Sequence, residues 1–393
     1  MRARTLSLGL WDAVTSLKLT IVCLSALMVL IVACTLAQVH LGTFGAVNQY
    51  MRAFLVWWKV PGTSWAIAIF PGGALVGLVL CVNLVAAQGR RLELSWKKSG
   101  IWIVHAGLIL LFAGEFVTNL AQIDTQMAIE EGQTVNFAES PREVELALID
   151  STDPAHDQVY GVPEPLLARG GDVAVPGTPI TLRVKRYMTN ADLAPRGPGD
   201  PPSLADRGVG ASVVARQLPP TTVDDQVNHR AVWVEPIAAG KSQGTWLASN
   251  ALGAPQSFIH EGRTYRLEVR QRRYYLPYAI TLKKFSHDVY AGTDIPKNFS
   301  SLVHVSYPGK GESRDVLIYM NQPLRYEGRT FYQASFGKND TLSVLQVVAN
   351  PGWLLPYISC VLVTTGLLIH FAITLRRSSR RRAAPREPAL EAA

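Results

Sequence analysis

Residues 99–120 read SGIWIVHAGLILLFAGEFVTNL. The stretch is long and apolar enough to cross a bilayer as one helix, which takes about 20 residues. It nevertheless carries His105 near one end and Glu115 nearer the other. An ionisable side chain in the hydrocarbon layer costs at least about 2.5 kcal/mol, so such groups persist where they face another helix, a cavity or a ligand. Arg90-Arg91 and Lys97-Lys98 stand just before this segment, and a long polar region follows it. Any function has to account for the histidine and the polar region together.

Three more stretches reach membrane length: 17–38, 65–87 and 353–375. The first is too long for the apolar part of a signal peptide, and further spans follow it. Cys34, at the end of Ile31-Val32-Ala33-Cys34, loosely imitates a lipoprotein cleavage site and is set aside on the same ground. Pro71-Gly72-Gly73 near the start of the second stretch delays or kinks its helix. Basic residues cluster before the first span, between the second and third (90, 91, 97, 98) and after the fourth (376, 377, 380, 381, 382, 386). Only Arg52 and Lys59 lie between the first and second. The positive-inside rule then predicts cytoplasmic segments at 1–16, 88–98 and 376–393, with 39–64 and 121–352 on the outer face. The expected fold is an integral membrane protein with four transmembrane α-helices. A large external all-β domain, sandwich-like or barrel-like, is inserted between helices 3 and 4. The basic tail after Arg376 is expected to be disordered.

The region 122–350 holds 23 Lys and Arg against 25 Asp and Glu, so the chain's net charge of +8 comes from beside the apolar segments. That is a topology signal, not a nucleic-acid footprint. β-Rich runs are predicted at 143–149, 180–187, 231–236, 265–271, 279–285, 301–307, 315–320 and 341–349. Glu131-Gly132, Pro176-Gly177, Pro308-Gly309 and Glu327-Gly328 mark turns, and 195–202 (PRGPGDPP) reads as a flexible loop. Short strands with regular turns favour a sandwich or barrel. The arginines of 263–273 make either one solvated strand face or a surface for anionic groups. Phe54, Trp57, Trp58 and Trp65 form either an interfacial aromatic belt or a flat surface for a planar ligand or partner.

Cys23, Cys34, Cys81 and Cys360 all lie in apolar segments, and there is no CxxC or CxxCH. The chain is therefore neither a thiol–disulfide exchanger nor a c-type cytochrome. GxSxG, HExxH, Walker and dinucleotide motifs are absent. His156, His229, His260, His287 and His304 are scattered through the β region without metal-ligand spacing. His287 stands out for its turn-rich, aromatic surroundings, PYAITLKKFSHDVYAGTDIPKNFSS. His40 sits at the outer end of the first span. His105 and His370 fall at similar depth, roughly 9–10 Å inside the cytoplasmic boundary, from the helical rise per residue. Each is either an imidazole bonded to a neighbouring helix carbonyl or a ligand for a haem iron. Glu115 either pairs with Asn83 or lines a wet path.

The order of elements resembles the ResB (CcsB) family of system II cytochrome c biogenesis. The stretches that carry the resemblance are LKLTIVCLSALMVLIVACTLAQVHLGTFGAV, SGIWIVHAGLILLFAGEF, GTDIPKNFSS, IYMNQPLRYEGRTFYQASFG and VVANPGWLLPY. It covers nearly the whole chain, except the loop near 151–262. The resemblance implies a haem-handling complex in the bacterial plasma membrane. Its other member is a ResC (CcsA) type membrane protein, and its client is apocytochrome c. A thioredoxin-like reductant of the client's CxxCH cysteines is a further expected partner. Haem b is then a transient cargo, and His105 occupies the place of a haem axial ligand. His370 and Glu115 are weaker candidates. The tryptophan-rich haem motif of that partner is missing, since Trp57-Trp58-Lys59 is not it. The chain is thus expected not to be an enzyme by itself. Two other readings remain open: a scaffold for partner and apocytochrome whose histidines only pack, and a membrane b-type electron-transfer protein using His105 with His370. Solute transport is weaker, for want of an inverted repeat.

Overall fold

The computed structural model describes residues 11–63, 65–91, 95–223, 226–293, 296–337 and 340–383. Arg2, Arg4, Arg386 and the rest of the last ten residues lie outside the described residues. The chain divides into two units. One comprises Met1–Gln122, Thr222–Asp224 and Asn350–Ala393; the other comprises Ile123–Thr221 and Asp225–Ala349.

In the first unit, the described residues include four helices long and apolar enough to cross a membrane. These are α1 (Leu17–Ala46), α2 (Gly73–Arg91), α3 (Ser99–Ala121) and α5 (Leu355–Ala383); α4 (Glu164–Arg169) is a short helix of the second unit. Ser16 caps α1 by accepting from the Leu19 amide at 3.2 Å. Gly42, at φ +68°, interrupts α1, a conformation for which glycine has no steric penalty.

The second apolar stretch departs from the expected span at 65–87. Leu55–Lys59 and Ala66–Pro71 form an antiparallel hairpin, and α2 begins only at Gly73. The cause is backbone crowding. A Cβ on Gly72 would lie 2.0 Å from the Ala53 carbonyl oxygen, and one on Gly73 would lie 2.5 Å from that of Met51. Only glycines let the chain fold back here. Trp57, Trp58 and Trp65 are exposed on or beside this hairpin. The basic tail also departs from expectation: α5 continues through Arg376, Arg377 and Arg380 to Ala383. The helix-favouring arginines extend it beyond the apolar run.

α3 and α5 pack closely. Gly100, Gly107 and Gly114 are the buried residues of α3 and recur every seven positions. A Cβ on Gly100 would meet the His370 backbone nitrogen at 2.5 Å and the Gly366 carbonyl at 2.6 Å. Gly107 faces Ser359, Leu362 and Val363, and Gly114 faces Leu355. Small residues let apolar helices approach to backbone contact. α1 and α2 are joined differently. Asn83, 2% exposed, accepts from Thr20 Oγ1 at 2.7 Å. Its amide donates to the carbonyls of Val14 at 2.6 Å and Ser16 at 3.2 Å.

The second unit is β-rich. Its main sheet runs in the order 312–319, 296–307, 263–289, 134–150, 123–130, 342–349, 329–337, 324–326, with 256–260 and 158–163 pairing off this path. Two strands are very long, Thr134–Asp150 and Arg263–Val289. Their pairing shifts register between Gln271 and Arg273 and again between Tyr275 and Ile280. Such bulges bend strands, and here they let one pair serve two cores. Leu276, Tyr278, Ile280 and Leu282 enter the core with Phe331, Leu345 and Val347. Leu267 and Val269 enter the other, with Leu146 and Leu148. A smaller sheet of 171–174, 180–188, 231–238, 241–242 and 246–249 covers that second core.

The run 265–271 and the run 279–285 are thus one strand. The loop expected at 195–202 is held locally, with the Arg196 amide on the Ser212 carbonyl at 2.8 Å and the Gly197 amide on Asp200 at 2.8 Å. The arginines of 263–273 are ion-paired with carboxylates. Arg263 meets Asp150, Arg266 meets Asp157, Arg270 meets Glu145, Arg272 meets Glu143 and Arg273 meets Glu139. An anion-binding face is not what they form.

Two outcomes follow. Gly100→Ala forces its Cβ into backbone atoms that cannot yield, so thermal unfolding in detergent should show a loss of about 1–3 kcal/mol, the usual range for overpacking. Gly77→Ala in α2 meets nothing within 4 Å and should be neutral or stabilising. In the β unit, Arg270 and Glu145 have side chains only 8% and 9% exposed. Arg270→Met strands a buried carboxylate and should lower stability by about 3–5 kcal/mol. Arg272→Met, where both partners of the pair are exposed, should change it by less than about 1 kcal/mol. Equal losses at both positions in a thermal melt would contradict this ranking.

Candidate functional site

His105 lies one turn and a half into α3, half-buried. Its Nδ1 is 2.7 Å from the Ile101 carbonyl oxygen one turn earlier. A carbonyl only accepts, so this contact assigns the proton to Nδ1. The lone pair then sits on Nε2, directed away from the helix's own backbone. That is the tautomer a metal-binding imidazole needs, with its second nitrogen held by a carbonyl. The same bond is also how a helix satisfies a packed histidine.

Helix geometry fixes which way His105 faces. At 100° per residue it stands roughly 140–180° around α3 from Gly100, Gly107 and Gly114. Those glycines face α5, so His105 occupies the opposite side of the helix. Phe112 and Phe116, seven and eleven residues on, share its side and are exposed. The face is therefore an imidazole with a phenylalanine stripe, unoccupied by α5.

His370 is placed otherwise. It is half-buried, its backbone lies against Gly100, and its ring is 6.1 Å from that of Phe371. The packing puts it beside the seam and puts His105 on the far side of α3. Glu115 is exposed, a quarter-turn from the His105 stripe. Of the two alternatives open for Glu115, pairing with Asn83 is not the one made, because Asn83 is committed to Thr20, Val14 and Ser16. His40 is exposed at the end of α1. In the β unit His156 meets Asp153, and His304 meets Asp315. No group of three or more His, Cys, Asp or Glu side chains able to hold a metal ion occurs among the described residues. Cys23 and Cys34 are buried in α1.

The glycine repeat of α3 is what sequence reasoning overlooked. Its signal was present: Gly100, Gly107 and Gly114 are spaced by seven inside an apolar helix.

Comparison with known proteins locates the relationship. Residues 254–344 match the ResB-like family. This chain carries a ResB-like segment. One curated relative, Protein NrfI of Wolinella succinogenes, is 30% identical over 93 residues, which is 24% of this chain and 10% of that protein. The chain thus spans about a tenth of that relative's length. The ResB-like segment begins beside the long strand Arg263–Val289 and ends within the strand 342–349. It takes in the core around Tyr278, Phe331 and Phe336 and stops short of α3 and α5.

Proposed function

We propose that this chain is the ResB-type subunit of a cytochrome c biogenesis complex of the system II kind. In this reading it works with a ResC/CcsA-type membrane protein, carrying or holding haem for attachment to apocytochrome c. The four helices lie in the bacterial plasma membrane, with both termini cytoplasmic and the β unit on the outer face. The ResB-like segment supports the family assignment, and the charge distribution along the chain supports the orientation. His105 is the haem axial ligand. The observation that carries this is its Nδ1 contact with the Ile101 carbonyl, which leaves the Nε2 lone pair on the side of α3 turned from α5.

The protein's part is positioning. Sinking the porphyrin against Phe112 and Phe116 buries its apolar ring, and an imidazole ligand holds the iron and tunes its potential. The second ligand comes from the partner, since His370 is placed beside the glycine seam. No nucleophile or acid–base pair is assigned, and the chain is not an enzyme by itself. Reduction of the client's cysteines falls to a separate thioredoxin-like protein, because this chain's own cysteines all lie in apolar helices.

A scaffold reading has one observation in its favour: the ResB-like segment lies in the β unit and not at His105. In that case the β unit docks partner and apocytochrome, and His105 merely packs.

The haem spectrum of the purified chain, with and without its ResC-type partner, separates the two. Wild type should show a low-spin signal that weakens in His105→Ala. In His105→Gly it should turn high-spin and recover on adding imidazole. An identical spectrum in all three removes His105 from the iron and leaves the scaffold reading.

A further inference from the structure

The long strand Arg263–Val289 is left unpaired along part of one edge. The Ser151 amide donates to the Thr264 carbonyl at 2.9 Å, and the same register sets Arg266 against Ile149, Glu268 against Ala147 and Arg270 against Glu145. Main-chain groups of an antiparallel strand turn alternately to its two sides, so those of 264, 266, 268 and 270 turn to the strand Thr134–Asp150. Those of 265, 267, 269 and 271 turn the other way. On that side the strand Gln256–His260 pairs with Arg263 to Leu267 and stops, and the strand Pro296–Tyr307 takes up pairing only at Ala279. Among the described residues, the main-chain groups of Val269 and Gln271 have no partner there.

A cavity of about 310 Å³ opens beside this edge, lined by Ala248, Leu252, Leu267, Val269 and Arg270, among others. Free strand edges are usually blunted by a charge, a proline or a covering loop. Val269 and Gln271 carry neither charge nor proline, and the first proline on the strand is Pro277. Their N–H and C=O groups repeat every second residue, about 6.7 Å apart. That spacing is matched by another extended main chain. The side chains add a second condition. Leu267 and Val269 enter the core, while Arg266 and Arg270 meet carboxylates on the opposite face. A strand seated here therefore needs apolar side chains on its cavity face and polar ones beside Glu268 and Arg270.

We propose that the edge of Val269 and Gln271 is where the β unit takes up its client, by adding a short extended segment of the haem-free cytochrome chain as an extra strand. The identity of the client rests on the cytochrome c biogenesis reading. A chain that has yet to receive its haem has main-chain groups free to pair, whereas in folded cytochrome they are already bonded.

The test is binding of a reduced, haem-free cytochrome c to the full chain in detergent, with folded holocytochrome c as the comparison. The haem-free chain should bind and the folded one should not. Gln271→Pro deletes one outward amide at a position where the sheet uses no amide, so the β unit keeps its thermal transition. Binding of the haem-free chain should weaken about 10-fold or more. Should that variant fail to fold, amide hydrogen exchange of the wild type serves instead: Val269 and Gln271 should slow when the haem-free chain is added. Folded Gln271→Pro binding like wild type overturns the proposal, as do unchanged exchange at both amides and equal binding of holocytochrome c. Protection that rises with this chain's own concentration assigns the edge to a second copy and also overturns it. The haem spectrum of the same preparations reports separately on the haem-handling reading, so either can fail alone.

Discussion

The backbone contact between α3 and α5 is the constraint on which the rest of the helical unit depends. Between apolar helices in lipid there is little hydrophobic gain to drive pairing, so the helices hold by close packing. Gly100, Gly107 and Gly114 on one side, with Gly366 on the other, remove the atoms that would keep the axes apart. The pairing continues to the helix ends, where the Asn350 amide donates to Thr118 Oγ1 at 3.2 Å. Inside the β unit, the strands that follow α3 and precede α5 are themselves paired, Ile123 against Ala349. The large insertion therefore begins and ends on neighbouring strands. The seam also bears on the site: with α5 on the glycine side, the His105 side of α3 is turned from α5.

Much of this was legible in the sequence, for identifiable reasons. A helix that must bury all its backbone groups in lipid leaves a long apolar run, and those runs gave the helices and their charged borders. Period-two alternation gave strands such as 180–187 and 341–349, which are half-buried and polar on one face. Glu131-Gly132 and Glu327-Gly328 do turn with positive φ at Gly132, Glu327 and Gly328. At Pro308-Gly309 the glycine that turns left-handed is Gly311, two residues later.

What escaped reading depends on partners distant in the chain. The long strand Arg263–Val289 looked like two because Leu276-Pro277 falls at its bulge, where alternation breaks. The arginines of 263–273 looked like a possible anion surface because their carboxylates lie more than a hundred residues away, except Glu268, which adds a second contact to Arg270 at 3.6 Å. The hairpin at Leu55–Pro71 was hidden by its own hydrophobicity, since Ala66–Phe70 is as apolar as a span. Asn83 seemed free to meet Glu115 until its three partners near the start of α1 were in place.

For the site, the residue type and its depth were readable, but its direction was not. That His105 could bond its own helix followed from its position. Which side of α3 it takes follows only from the glycines, and these were not weighed. What holds the ring is the Ile101 carbonyl of its own helix, a backbone group that no side-chain substitution removes, so the tautomer that leaves the lone pair on Nε2 is set by the helix itself.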